Sequence, residues 1–324
     1  MSDSGTRVGL LDPSRRTRNI GDHVIVESVL REVPELKAAR RIASHDFPGL
    51  REAKGMRASR VLVFAGTNVL GPDMWRHRQF PSIGVLSLLM RRKTAYLGVG
   101  WGAPAEKFDT VTARLLRSSM LPGLPIGVRD TYTLERLRAS DVPARFIACP
   151  TTWSLPAELP SWDGITEVVT TVTDYRPDAE ADNALLRELS RRFSRVIIWL
   201  QGANDGAYVK SLDLPQNVEV DAESTLEHLG SILDGKGYLG TRLHGGIHAL
   251  QQRRPTGIVA VDHRATSLGR DIGLPVTERR ADIAPGLDDV IGAAAAGRRI
   301  QLPKTAIEEW TGALREALIR ADGA

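Results

Sequence analysis

In GTRLHGGIHAL, residues 240–250, an arginine and a histidine stand two positions apart and two glycines follow at once. The preceding apolar run, GYLGTRLH, has the length and content of a strand, so Arg242 and His244 fall at its carboxyl end. Gly245 and Gly246 then permit close backbone approach and open a helix. A helix N-terminus carries unpaired N–H groups and the positive end of the helix dipole, and it welcomes an anion. Arginine adds a planar fork matched to carboxylate or phosphate. Histidine supplies a charge or passes a proton near neutral pH. The competing reading is a solvated arginine beside a capping histidine.

A second cluster repeats the design. IGVRDTYTLERLR, residues 126–138, ends a strand in Arg129-Asp130, with Asp130 placed to orient Arg129 and Thr131 placed to cap the next helix. Other polar strand exits are NIGD (19–22), with Asn19 and Asp22, GTN (66–68), with Asn68, and GVGWGAP (98–104), with Trp101. None has the spacing of a dinucleotide-binding loop. His244 and His248 are four apart, but a zinc protease pair needs a glutamate where Gly245 stands. No third ligand cluster accompanies them, so no metal is expected, and no cofactor motif is present.

These residues need a scaffold that delivers strand ends to one rim. Short apolar runs alternate with helix-length amphipathic segments: strands at 7–12, 59–66, 93–100, 124–130 and 143–150, helices at 22–32, 82–92, 107–120 and 131–139. After PTTWSLPAELPSWDGI (150–166), read as a linker, a second series follows. Its strands are at 167–174, 195–202, 217–220, 237–244 and 256–262, with helices at 179–193, 204–212, 223–233 and 246–253. Two tail helices are expected at about 285–297 and 304–321. The pattern specifies an α/β fold of two Rossmann-like, doubly wound domains facing across a cleft, at 1–155 and 165–324. Ligands of such sheets bind beyond the carboxyl strand ends, so Arg129 and Arg242 are expected to converge on that cleft.

Composition narrows the partners. The 324 residues are 42% hydrophobic and 25% charged, with a net charge of +4 and a pI near 9.4. No clustered basic patch with aromatic support argues for nucleic acid. A taste for anionic small molecules, or peripheral association with an anionic membrane surface, stays open. Cys149 is the only cysteine, the first residues are polar, and no apolar run is long enough to span a bilayer. A cytoplasmic protein is expected.

Taken together, NIGD, GTN, GVRDTYTLERL (127–137), CPTTW (149–153), GTRLHGGIHAL and DHRA (262–265) resemble, in order, the polysaccharide pyruvyltransferase family. The similarity runs to about residue 276, and Gly-x-Arg-Leu-His is its most specific part. The resemblance implies a GT-B-like fold and transfer of the enolpyruvyl group of phosphoenolpyruvate (PEP) onto a sugar or glycolipid acceptor, lipid-linked in one reading, to make a pyruvate ketal. It implies that Arg129, Arg242 and His244 hold PEP and serve catalysis, with Leu243 and Gly245 in the same donor segment. The acceptor is expected near Asn19, Asp22, Asn68 and Trp101, and near His263 and Arg264, which stand where some relatives carry a lysine after the aspartate. Other relatives have an aspartate in the segment that here reads CPTTW. Two alternatives remain: a GT-B glycosyltransferase using a nucleotide sugar, and a non-catalytic anion-binding protein of the same fold.

Overall fold

β1 (Val8–Asp12) and β3 (Val61–Ala65) are buried at every position, which is why neither shows a two-residue alternation. The computed structural model describes residues 6–17, 19–44, 49–74, 87–102 and 107–323. These divide into two compact units. One comprises the described residues of Met1–Thr17, Ile25–Trp153 and Leu302–Ala324; the other comprises those of Arg18–Val24 and Ser154–Gln301.

The first unit is built from β1, α1 (Ile20–Glu32), β2 (Arg40–Ala43), α2 (Leu50–Ala58), β3, α3 (Ser87–Met90), β4 (Thr94–Leu97), α4 (Thr110–Ser119), β5 (Ile126–Val128), α5 (Thr131–Arg138) and β6 (Ala144–Phe146). The opening residues of α1 group with the other unit. The sheet runs β2-β1-β3-β4, parallel throughout, and the parallel pair β5-β6 joins it through a bridge between Val99 and Val128. Helices cover both faces. Met56, Met90 and Leu116 pack with Phe64 and Tyr96 on one side. Val29 and Val33 pack with Leu10 and Leu97 on the other.

β2 and α2 were not legible from periodicity: β2 opens on two half-buried arginines, and α2 is too polar to show its buried Met56 stripe. The expected helix at 82–92 falls partly outside the described residues, which hold only α3. Thr131 does not cap α5. Asp130 does, accepting from the Thr133 N–H at 2.7 Å, because its carboxylate reaches the third-position donor while Thr131 is already helical.

The second unit follows with β7 (Glu167–Thr170), α6 (Ala179–Arg192), β8 (Arg195–Trp199), α7 (Asp205–Val209), β9 (Val218–Asp221), α8 (Leu226–Ile232), β10 (Gly237–Gly240), α9 (Leu243–Gln251), β11 (Thr256–Ala260), α10 (His263–Ile272), β12 (Val276–Glu278) and α11 (Ala284–Gly292). Its sheet is parallel in the order β12-β11-β10-β7-β8-β9. The chain therefore leaves β7 in one direction and returns from β10 in the other, opening a crevice between the carboxyl ends of β7 and β10.

The last helix, α12 (Lys304–Gly323), was expected with the second half of the chain and instead belongs to the first unit. Trp310 is 2% exposed and donates its indole N–H to the Pro125 carbonyl at 2.8 Å. Leu314 and Leu318 bury with Val29, Val33 and Leu97. Burial of three large apolar side chains on a partly uncovered sheet face outweighs sequence adjacency. The segment read as a linker is ordered: Pro150–Thr152 form a 3-10 turn, and Trp153 donates to the Ile147 carbonyl at 2.7 Å.

Candidate active site

β10 ends at Gly240, earlier than its apolar run implies, and Thr241 turns the chain across the crevice. The Thr241 N–H donates to the Thr171 carbonyl at 2.9 Å. The Arg242 N–H donates to the Thr171 hydroxyl at 3.0 Å, and the Tyr238 hydroxyl donates to the Arg242 carbonyl at 2.9 Å. Burial pushes the Tyr238 hydroxyl well above the usual tyrosine range, so it stays protonated and keeps that donor. Arg242 becomes the N-cap of α9, and His244 lies inside the helix rather than at the strand end.

The N-cap residue of α9, Arg242, makes no side-chain capping bond, so the usual acceptor at the positive end of the helix dipole is not supplied by that residue. The neighbouring α10 differs. There Asp262 accepts from the Arg264 N–H at 3.0 Å and grips the Arg264 guanidinium, with contacts of 2.9 and 2.8 Å to Nε. At α9 the carboxylates lie instead on the Arg242 guanidinium.

The Arg242 side chain is 15% exposed. Its Nη2 donates to Asp205, which is fully buried, and to Asp174 at 3.2 Å. Gly202 makes this possible, since a Cβ there would overlap Nη2. Asp205 also accepts from the N–H groups of Gly202 (2.7 Å) and Asp174 (3.1 Å). Burial alone would raise the Asp205 carboxyl, but the charge and hydrogen bond of Arg242, with those N–H groups, hold it below the usual carboxylate range. The Arg242 Nε is buried and meets no acceptor among the described residues. A buried donor left in that condition costs about 1–3 kcal/mol, and an anion beside α9 would remove the penalty.

His244 is 9% exposed. A Cβ on Gly21 would come within 3.2 Å of its Nδ1, within 3.2 Å of Asn19 Oδ1 and within 3.1 Å of Gln201 Nε2. Asn19 Oδ1 itself accepts from the Gly21 N–H at 3.1 Å and from Gln201 Nε2 at 3.2 Å. A cavity here takes in Asn19, Gln201, Arg242, Leu243, His244 and Arg264 among its walls. Its volume of about 40 Å³ is on the order of one water molecule's share, so a three-carbon ligand enters only as its walls give. Tyr175 lies at one wall under the Arg264 guanidinium, 5.5 Å from ring centroid to Cζ.

In the first unit Arg129 is 2% exposed. Its Nε donates to Asp130 at 3.0 Å and its Nη2 to the Asn68 side-chain amide oxygen, Oδ1. Gly100 leaves room for the guanidinium, which a Cβ would overlap. Asn68 follows Gly66 and Thr67, both left-handed at φ 60 and 68. That conformation is uncommon for a β-branched residue and costs on the order of 1–3 kcal/mol. The Gly100 N–H, donating to the Thr67 carbonyl at 2.8 Å, helps to hold it.

Of the sequence candidates, one cavity thus gathers Asn19, Arg242, Leu243, His244 and Arg264. Asp22 lies close enough to add its charge to the field on Arg264, and His263 is not among the cavity's walls. Asn68 serves Arg129. Trp101 is fully buried, edge-on to Phe108 at 4.7 Å between centroids, so its side chain is core and offers no stacking face to a sugar. Cys149 is buried, and burial pushes its thiol up, leaving no reactive thiolate. Asp205, Asp174, Gln201 and Tyr238 were missed. Their signal is local and weak: QGAND (201–205) and TVTD (171–174) are polar strand exits without a motif. Among the described residues no group of three or more His, Cys, Asp or Glu side chains is placed to hold a metal ion, and no helix is long and apolar enough to cross a membrane.

No curated protein matches the chain in sequence. Among solved structures it is similar to the glycosyltransferase SnogD from Streptomyces nogalater at 15% identity, covering 97% of this chain and 95% of that one. The TM-score is 0.36. The sequence model described as Polysaccharide pyruvyl transferase matches residues 19–263, an interval that runs from Asn19 through Arg129, Arg242 and His244. With that match spanning more than half of its length, the chain belongs to the polysaccharide pyruvyl transferase family.

Proposed function

We propose that this protein transfers the enolpyruvyl group of PEP to a sugar acceptor and closes it into a pyruvate ketal. The observation that carries this reading is the buried Arg242 Nε, without an acceptor among the described residues, at the N-cap of α9. Helix dipole, backbone donors and guanidinium together suit a carboxylate or phosphate. Asp205 and Asp174 occupy Nη2 and so fix the guanidinium rather than exhaust it. Arg129, held in the first unit by Asp130 and Asn68, is the second donor-binding arginine that the family motif implies.

The chemistry asks for one proton and two hydroxyls. Protonation of the PEP methylene leaves an oxocarbenium-like carbon, a sugar hydroxyl attacks it, phosphate departs, and a second hydroxyl closes the ring. His244, in the first turn of α9, is the general acid or proton relay of this scheme, a role worth about 10²–10⁴-fold in rate. The protein needs no cofactor beyond PEP as donor. The acceptor is a sugar, free or on a glycolipid.

The test is incubation with PEP and a panel of acceptor sugars, scoring acceptor-dependent phosphate release and the mass of a pyruvate ketal. Phosphate release with ketal formation is expected. Transfer of a glycosyl group from a nucleotide sugar, or PEP binding without turnover on any acceptor, would replace this reading with one of its two alternatives.

A further inference from the structure

The outer surface of α2, α3 and α4 carries a charge distribution that the proposed transfer does not use. The three helices lie side by side on one face of the first unit's sheet, α3 between the other two. On α2, Arg51, Lys54 and Arg57 recur every third residue, all exposed. On α4, Val111, Arg114 and Arg117 do the same. That spacing places each set on one side of its helix.

Among the described residues, acids do not answer these cations. Glu52, the acidic residue of α2, pairs with Arg16 at 2.9 Å. Asp109 spends its carboxylate capping α4, accepting from Val111, Thr112 and the Thr112 hydroxyl. Arg51, Lys54, Arg57 and Arg114 make no ion pair among the described residues. Several exposed arginines elsewhere are met by carboxylates, as Arg195 is by Glu219 and Arg299 by Glu158.

Apolar surface is set among the charges. Leu50, at the start of α2, is 85% exposed, and Val111 is 47% exposed. Where α4 ends, a groove of about 460 Å³ is lined by Leu121, Pro122, Leu124 and Pro143, with Arg92 and Arg117 at its sides. Arg117 is held there by the carbonyls of Ser140 (3.0 Å) and Asp141 (3.1 Å), which orient it without cancelling its charge. Arg92 sits in a left-handed turn, φ 54, its N–H donating to the Ser118 carbonyl at 2.9 Å.

We propose that this face docks the protein on an anionic lipid bilayer, the arginines and lysine meeting headgroup phosphates while Leu50, Val111 and the groove's apolar wall meet the acyl boundary. A basic face draws a protein to anionic lipid, and interleaved apolar side chains add affinity in a bilayer that a soluble polyanion does not offer. The proposal stands apart from the donor site: it concerns where the first unit sits, whatever group is transferred.

Co-sedimentation of the full chain with vesicles tests it, using phosphatidylcholine alone and phosphatidylcholine mixed with phosphatidylglycerol. Binding is expected to the anionic vesicles only, weakening as salt shortens the Debye length. Each removed charge should weaken binding about fivefold, so Lys54→Ser, Arg57→Ser, Arg114→Ser and Arg117→Ser combined should lower it several hundredfold with a wild-type melting curve. The charge-conserving variant Arg57→Lys, Arg114→Lys, Arg117→Lys should keep it. Leu50→Ser with Val111→Ser and Leu121→Ser should also weaken it. No binding by the wild-type protein, or undiminished binding by the serine charge variant, overturns the proposal. Undiminished binding by the apolar variant overturns it in favour of a soluble polyanion as occupant.

Discussion

Replacing Arg242 with alanine separates its structural role from its ligand role. The substitution removes the partner of a carboxylate that is fully buried, and breaking a buried pair in this way costs about 3–5 kcal/mol. Two features place the expected loss at the lower end, about 3 kcal/mol. Arg242 retains 15% exposure, so part of its charge is already solvated. Asp205 also keeps N–H donors from Gly202 and Asp174 at 2.7 and 3.1 Å. For a unit of this size the loss corresponds to a fall in Tm of roughly 6–12 °C.

The loss should depend on pH. With Arg242 in place the Asp205 carboxyl is held low, so the pair contributes stability above the unfolded carboxylate pKa of about 3.9 and loses it as pH falls through the lower folded value. Without Arg242, burial dominates and the carboxylate is a liability at neutral pH. The gap between wild type and Arg242→Ala should therefore be widest near neutrality and shrink toward pH 4. Adding Asp205→Asn should recover part of the stability, a coupling that a double-mutant cycle reads directly. PEP affinity, by calorimetry in the folded variant, should drop by the worth of charge-assisted hydrogen bonds, about 1.5–3 kcal/mol. Equal melting temperatures for Arg242→Ala and wild type at neutral pH would refute the buried pair. Unchanged PEP affinity would remove Arg242 from the donor site.

Four further outcomes are expected. His244→Gln should bind PEP normally but turn over slowly, since a group acting in the transition state lowers kcat with little change in ground-state binding; wild-type turnover would make His244 a structural cap. Gly21→Ala should leave stability level or raise it by up to about 1 kcal/mol through helix propensity, yet depress activity, because the new Cβ would crowd His244, Asn19 and Gln201; full activity would detach residues 19–22 from the site. Trp310→Ala should cost about 3–5 kcal/mol in thermal or denaturant unfolding, as its buried ring and its bond to Pro125 go; a loss under 1 kcal/mol would show that α12 does not brace the sheet. The hydrogen bond that His228 donates to Asp221 at 2.6 Å raises the His228 pKa, so the stability it contributes is full below about pH 6.5 and fades as pH climbs through the raised value; His228→Gln should then lower Tm at pH 6 and match wild type at pH 9.

The candidate residues were legible because they sit in short, local patterns. Gly-x-Arg-Leu-His and Val-Arg-Asp mark arginine-bearing strand exits without any knowledge of neighbours. Alternating apolar runs and helix-length segments likewise dictate parallel α/β units, since strands covered on both faces must be apolar throughout. Register, caps and pairing were decided by the tertiary structure. His244 belongs to α9 because Thr171, 71 positions from Arg242, together with Tyr238 pulls the chain out of β10 at Gly240. Asp262 caps α10, whereas the N-cap of α9 is Arg242 with no side-chain capping bond, a difference that two similar strand exits do not disclose. Trp101, apt by type for stacking on a sugar, is core because Phe108 packs against it. α12 returns to the first unit because burying Trp310, Leu314 and Leu318 there stabilises it more than proximity along the chain can. Patterns within a few residues report backbone form and chemical type, whereas which arginine stays available depends on which carboxylate folding brings to it, and Asp205 reaches Arg242 from 37 positions away.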